Sequence, residues 1–117
     1  MVQRAGKKLT LGVRRIGSAA VVRVRGSAGI AEADKMQRKL EELAAQRVPR
    51  IVLDLGEMEF ICSQGLGAII TGHLKCRHYE GEIRLVNPRP AVRELLEVTR
   101  LTKLFPIYAT VDQAVAL

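Results

Sequence analysis

The sequence contains few aromatic residues and no long apolar run. It has no tryptophan, two phenylalanines and two tyrosines, and none of the four lies among the basic residues near the N-terminus, so a base-stacking surface for nucleic acid is not predicted. No apolar stretch approaches the roughly 20 residues that cross a bilayer, and the basic N-terminus lacks a following secretory apolar segment. We therefore predict a cytoplasmic protein with no membrane span and no direct nucleic acid binding.

Cysteine is also scarce, and the two cysteines, Cys62 and Cys76, fall in one short region of the chain. Two residues placed in this way do not form the disulfide framework of a small secreted domain. We predict two free thiols, as suits a reducing compartment.

Acidic residues are missing from the first 31 positions, which contain seven basic residues: Arg4, Lys7, Lys8, Arg14, Arg15, Arg23 and Arg25. Because the remainder holds 12 basic and 12 acidic residues, the net charge of +7 belongs to this N-terminal part. Such a segment could attract nucleic acid, anionic lipid or an acidic protein. It could equally be a flexible basic arm at residues 1–8 followed by one solvated strand face, with a single domain at residues 9–117.

The hydrophobic pattern predicts an α/β domain with a mixed sheet of about five strands and about four helices packed against it. The expected strands include a hairpin around Leu9–Val13 and Ala20–Val24, a buried strand at 51–55, and strands at 83–86 and 105–108. A loop is expected at Gly26–Gly29. The expected helices carry four apolar patterns: Ala33, Met36, Leu40, Leu43 and Ala44; Leu66, Ile69, Ile70 and Leu74, with an end near Gly81; Val92, Leu95 and Leu96, begun by Asn87 and Pro88 or by Pro90; and a terminal helix to Leu117 capped by Thr110 and Gln113.

The segment Phe60 to Gly67, FICSQGLG, lies between the buried strand and the second helix and invites a chemical interpretation. A hydrolase elbow requires glycine where Ile61 stands, and a cysteine phosphatase requires arginine where Ala68 stands. A dinucleotide fingerprint requires a third glycine where Ile70 stands. The chain therefore lacks the parts for catalysis or for a nucleotide cofactor, and no catalytic residue is predicted.

The remaining polar residues near this segment are also expected to have ordinary roles. His73, Cys76 and His78 are spread around a helix, so a solvated helix is expected rather than a metal site. Glu57 and Glu59 are expected to keep a loop soluble. Ser63, at the start of a helix, is a favourable place for a phosphate but could also be an ordinary N-cap.

Two segments, IVLDLGEMEFICSQGLGAI and GEIRLVNPRPAVRELLEVTRLTKLFPIYATVDQAV, resemble the STAS domain of the anti-sigma factor antagonist family. The resemblance extends from about Leu9 to Leu117. It implies that Ser63 is the phosphoacceptor of an ATP-dependent anti-sigma factor serine kinase, and that a PP2C-type phosphatase reverses the modification. It also implies a partner-binding surface at Cys62, Gln64, Gly65, Leu66 and Gly67, with Ser27 nearby, and a monomer or weak dimer without enzymatic activity.

The sequence departs from the family pattern at three places. Cys62 replaces the usual acid before the serine, Gln64 replaces a hydroxyl residue after it, and the 26–29 segment has no acid. The alternative is therefore a STAS scaffold that is not phosphorylated and serves as a subunit of a larger signalling or transport complex.

Overall fold

The computed structural model describes residues 8–116. The expected basic arm covers residues 1–8, of which residues 1–7 lie outside the described residues. Leu117 also lies outside them. In chain order the elements are β1 (Thr10–Ile16), β2 (Ala19–Ala28), α1 (Ile30–Ala45), β3 (Arg50–Ile61), α2 (Ser63–Arg77), β4 (Glu82–Val86), α3 (Pro90–Val98), a short 3-10 helix (Leu101–Lys103), β5 (Ile107–Tyr108) and α4 (Val111–Val115).

The five strands form one mixed sheet in the spatial order β1-β2-β3-β4-β5. β1 runs antiparallel to β2, while β2, β3, β4 and β5 are parallel neighbours. The hairpin turns at Gly17, whose φ of +60° is a left-handed conformation that glycine adopts without strain. The predicted fold class, a five-stranded mixed sheet with four helices, is confirmed.

The main core lies on the sheet face that α1 and α2 cover. The five residues predicted for the first helix are all buried there, together with alternate residues of β2 and β3. The two helices approach closely at Gly72, where an added Cβ would lie 3.2 Å from the Cβ of Leu40. The parallel strands and these helices therefore bring the N-termini of α1 and α2 to the same end of the sheet.

The opposite face has a smaller core beneath α4, formed by Val21, Val52, Val86 and Ala114. The predicted cap of α4 is confirmed, because the Gln113 backbone N–H donates to Thr110 Oγ1 at 3.2 Å. Arg84 donates to the carbonyl oxygens of Ala114 and Ala116 at 2.9 and 2.7 Å. These bonds fasten α4 to the outer face of the sheet.

Strands β2 and β3 are longer than the sequence pattern predicts. The expected loop at 26–29 is wrong, since β2 continues through Ala28, and Glu57 and Glu59 lie within β3 rather than in a loop. Twelve residues of β3 face ten of β2, with register shifts between Arg23 and Arg25 and between Gly26 and Ser27. Such bulges interrupt the alternation of buried and exposed residues, which is why the pattern ended too early.

Four other elements differ from expectation in a boundary or in a cap. α2 ends at Arg77, and the following turn closes where the Gly81 N–H donates to the Cys76 carbonyl at 2.8 Å. α3 begins at Pro90, as one of the two predicted starts, but Asn87 has a φ of +50° and does not cap it. α4 ends at Val115, and β5 contains only Ile107 and Tyr108, with buried Phe105 preceding it.

Candidate functional site

The FICSQGLG segment is the junction between β3 and α2. Ile61 ends the strand, Cys62 is the N-cap residue in an extended conformation, and Ser63 is the first helical residue. The Cys62 N–H donates to the Ala28 carbonyl at 2.9 Å, which ties the junction to the end of β2. The suggestion that Ser63 caps the helix is therefore wrong: that position belongs to Cys62, and no side chain caps α2.

Ser27 lies beside this junction, as the site prediction requires. It pairs with Phe60 across β2 and β3, and Ala28 pairs with Ile61. The parallel pairing thus places Ser27 and the Cys62–Gly67 turn at the same end of the sheet. Because the sequence predicts that a partner binds here, we refer to this end of the sheet as the docking face. It comprises Ser27, Ile30, Phe60, Cys62, Ser63, Gln64 and Gly67.

The predicted partner-binding residues divide into a buried support and an accessible surface. Gly65 is buried, and an added Cβ there would lie 2.6 Å from Ile61 Cγ1, so close packing requires glycine. Leu66 is also buried. Cys62, Gly67 and Ser27 are partly exposed, and Gln64 is exposed. Gly65 and Leu66 therefore hold the turn in shape, while the other four are accessible to a partner.

The first turn of α2 favours negative charge. Ser63 is exposed at the first helical position, and the turn contains no acidic side chain. The first N–H groups of a helix have no intrahelical acceptor and form its positive dipole end. A phosphate attached at this position would consequently meet backbone donors and no neighbouring carboxylate from the same turn.

Sequence reasoning missed two apolar members of the docking face, Ile30 and Phe60. Ile30 is 70% exposed and Phe60 is 52% exposed. Ile30 precedes Ala33 by three residues, so helical spacing alone gives no reason to expect that its side chain is exposed. Phe60 is turned to the outer face by the bulge that pairs Gly26 with Met58 and Ser27 with Phe60. Only the strand pairing reveals that two large apolar side chains stand at this end of the sheet.

The expectation of a solvated helix at His73 and Cys76 is wrong, because both side chains are buried. His73 Nδ1 accepts a hydrogen bond from the Ile83 N–H at 3.3 Å, and its ring meets the Phe105 ring edge-on at 5.0 Å. Burial, helped by the nearby Arg77 charge, lowers the pKa of His73. We call His73, Cys76, Tyr79 and Phe105 the His73 cluster.

The Cys76 thiol in this cluster is a structural group. The Tyr79 hydroxyl donates to Cys76 Sγ at 3.2 Å and to the Val48 carbonyl at 2.8 Å. Burial raises the pKa of the Cys76 thiol, which keeps the less reactive protonated form dominant. Burial likewise raises the pKa of Tyr79.

The geometry of the docking face contains neither a base for Cys62 nor a metal site. His73 lies further along α2 and its Nδ1 is engaged with the Ile83 N–H. Within residues 8–116, no three His, Cys, Asp or Glu side chains are grouped to hold a metal ion. In the same part of the chain no helix has the length and apolarity that a membrane crossing requires.

Comparison with known proteins identifies relatives over nearly the whole chain. The family model of the STAS domain matches residues 10–114. The BtrV protein of Bordetella bronchiseptica, named as an anti-sigma factor antagonist, is 28% identical over 109 residues, which cover 93% of this chain and 92% of that protein.

Solved structures agree with this result. The crystal structure of an anti-sigma factor antagonist from Mycobacterium paratuberculosis has a TM-score of 0.83 and 30% sequence identity, covering 92% of this chain and 91% of that one. The Bacillus protein SpoIIAA is similar in fold in its unphosphorylated form, with a TM-score of 0.82, 20% identity and coverage of 91% and 93%. Its phosphorylated form gives a TM-score of 0.74, 18% identity and coverage of 91% and 96%.

Proposed function

The chain belongs to the STAS domain family, with anti-sigma factor antagonists among its relatives, and we propose that it is itself an anti-sigma factor antagonist, controlled by phosphorylation of Ser63. In the unmodified form its docking face binds an anti-sigma factor that is also a serine kinase, and a sigma factor is released in the cytoplasm. A PP2C-type phosphatase restores the unmodified form. The chain is the substrate of both enzymes and catalyses nothing itself.

The observation that carries this proposal is the position of Ser63. Its side chain is exposed at the first residue of α2, in a turn held rigidly by the Cys62–Ala28 hydrogen bond and by the close packing of Gly65 against Ile61. A kinase can reach a hydroxyl in this position without unfolding the domain. The replacement of the usual acid by Cys62 leaves the hydroxyl and its helix terminus in place.

Phosphorylation at Ser63 is expected to leave the fold intact and to weaken the complex. A phosphoserine carries about −1.5 to −2 charges, and a helix N-terminus stabilises such charge by roughly 0.3–1 kcal/mol. A partner seated on the docking face would instead bury the phosphate away from water. An unpaired buried charge costs several kcal/mol, enough to convert a tight complex into a weak one.

The apolar side chains of Ile30 and Phe60 supply the attraction that phosphorylation must overcome. Each is more than half exposed, and large apolar side chains that become fully desolvated are typical anchors of protein interfaces. Ile30 begins α1, Phe60 is the penultimate residue of β3 and Ser63 begins α2, so all three lie at the same end of the sheet and can contribute to one partner surface. We therefore assign binding strength to Ile30 and Phe60 and control to Ser63.

The test is phosphosite mapping on the purified chain incubated with its kinase and ATP. We expect one phosphate, at Ser63, and no mass shift in the Ser63→Ala variant. Ser63→Glu should weaken binding to the kinase at least about tenfold, as expected for a charge buried without a partner. The matched control is Ser18, exposed in the β1–β2 turn, where alanine and glutamate should change neither phosphorylation nor binding.

Two results would contradict the proposal. A phosphate found at Ser18 or Ser27 would show that the exposed helix start is not the acceptor. A complex that forms equally well with wild type, Ser63→Ala and Ser63→Glu would select the alternative scaffold function, in which the docking face binds constitutively.

A further inference from the structure

A second surface lies between β1 and α1, away from the docking face. It is an open groove of about 600 Å³ lined by Leu9, Thr10, Leu11, Lys35, Arg38, Lys39 and Glu42. The groove follows the flank of α1 that faces β1, whereas Glu41 on another side of α1 pairs with Lys75 of α2. Nothing in the proposed phosphorylation switch uses this groove.

The strand that borders the groove, β1, is one of the two edges of the sheet. In the described part of the chain, β1 pairs only with β2 and no strand lies beyond it. Charged side chains commonly protect such edges from pairing with another chain. Arg14 and Arg15 provide this protection in the second half of β1, but the half from Thr10 to Val13 has no charged residue. The unprotected half is the part that borders the groove.

The groove offers an apolar floor with a basic rim. Leu9 is buried and Leu11 is partly exposed, so they form apolar contact surface beside the strand. Lys35 Nζ lies 3.5 Å from the Leu9 carbonyl, which places its charge at the start of β1. Arg38 and Lys39 add two further cations, of which Arg38 pairs with Asp34 at 2.8 Å and Lys39 with Glu42, the one acid among the lining residues, at 3.1 Å. With Lys35 the three cations outnumber these two carboxylates, so the rim keeps a net positive charge.

We propose that this groove binds an extended acidic segment of a partner protein, which adds as a further strand to Thr10–Val13 of β1. Backbone hydrogen bonds to the open edge would position the segment, apolar side chains would contact Leu9 and Leu11, and acidic side chains would meet Lys35, Arg38 and Lys39.

Charge favours an acidic partner segment over two occupants from the chain itself, a second copy and the first seven residues. A second copy pairing through β1 would bring a second set of the same cations, Arg14, Arg15 and those of the rim, close to the first set. The first seven residues carry Arg4 and Lys7 and no acid, so they share the sign of the groove. An acidic segment is the only one of the three that is attracted.

The test is an NMR titration of the isotope-labelled full chain with a short synthetic peptide in which glutamate and valine alternate. We expect chemical-shift changes at the amides of Thr10–Val13 and Lys35–Lys39 and none at Ser63 or Gln64. Binding should weaken as salt is raised, because exposed charges are screened. A peptide of equal charge in which prolines replace two valines should bind at least about tenfold more weakly, since proline lacks the backbone donor.

The matched variants distinguish binding at the groove from a general effect of the protein's net charge. Lys35→Glu combined with Lys39→Glu should weaken peptide binding at least about tenfold, because like charges would then face each other. Arg89→Glu combined with Lys103→Glu makes the same charge change on exposed residues elsewhere and should alter binding less than about twofold. Far-ultraviolet circular dichroism checks that both double variants are folded.

Several outcomes would overturn the proposal. If the proline peptide binds as tightly as the valine peptide, the attraction is a diffuse effect of charge and no strand is added to β1. Chemical-shift changes confined to the docking face would place the acidic segment there. If a single-stranded oligonucleotide binds more tightly than the peptide, the partner of the groove is a nucleic acid. Loss of peptide binding upon dimerisation through β1 would identify a second copy as the occupant.

Discussion

The docking face and the His73 cluster lie at opposite ends of α2 and contain similar types of residue. Each has one cysteine and one phenylalanine, with small polar or titratable groups beside them. At the N-terminal end Phe60 is half exposed and Ser63 is exposed, whereas Phe105, His73 and Cys76 at the other end are buried. Burial, rather than residue type, therefore distinguishes the two ends of the helix: the exposed end is the one for which we propose recognition, and the buried end contributes to stability.

The largest expected effect comes from exchanging the two phenylalanines for alanine. Phe105→Ala removes a buried ring that contacts His73 and should lower the free energy of unfolding by about 3–5 kcal/mol. Phe60→Ala should change it by less than about 1 kcal/mol, while weakening the kinase complex by at least about tenfold. Urea denaturation followed by circular dichroism measures the first quantity. Equal destabilisation by Phe60→Ala and Phe105→Ala would show that the two ends of α2 do not differ in their contribution to stability.

A smaller effect, with opposite signs, is expected at two glycines of α2. Gly65→Ala places its Cβ 2.6 Å from Ile61 Cγ1 and should cost about 1–3 kcal/mol as the turn shifts. Gly67→Ala meets nothing within 4 Å and should stabilise the helix by up to about 1 kcal/mol. Thermal or urea unfolding of both variants tests this pair. Destabilisation by Gly67→Ala would mean that the start of α2 is packed more tightly than the docking role requires.

The smallest expected effect is a pH dependence that belongs to His73. Because burial lowers its pKa below the ordinary value of 6.5, the unfolded chain takes up this proton more readily than the folded chain. Its contribution to the free energy of unfolding is complete above about pH 6.5 and declines as the pH falls through the lowered pKa. Urea titrations from about pH 8 to about pH 5 should show this decline.

Two asparagine variants isolate that contribution. His73→Asn retains an acceptor near the position of Nδ1 but does not titrate, so the decline should become shallower. His78→Asn changes an exposed residue at the end of the same helix and should leave the decline as in wild type. An unchanged slope in His73→Asn would assign the pH dependence to other groups.

Periodicity predicted most of the fold because most elements obey simple patterns. The five buried residues of α1 and the Thr110 cap of α4 follow directly from spacing and residue type. The same reasoning, applied to α2 without regard to polarity, would have placed His73 and Cys76 on the stripe of Leu66 and Ile69. Apolarity instead favours Leu74, which is 55% exposed in the structure.

The site was less accessible to sequence reasoning because its shape depends on pairing between distant segments. The proximity of Ser27 to the FICSQGLG turn follows from the register of β2 against β3, which no local pattern states. The outward direction of Phe60 depends on a bulge in that register. Local sequence identified the turn and its serine, whereas the apolar anchors beside it required the sheet.

The two surplus residues of β3 allow this strand to change in length without moving the site at its end. β3 has twelve residues where β2 has ten, and the pairing absorbs the difference in two bulges. Glu59 lies in the second bulge and has no partner in β2, so deleting it would leave Phe60 opposite Ser27 and the Cys62 N–H close to the Ala28 carbonyl. A related chain can therefore present a hydroxyl at this place with a β3 one residue shorter, provided that the paired positions keep their order.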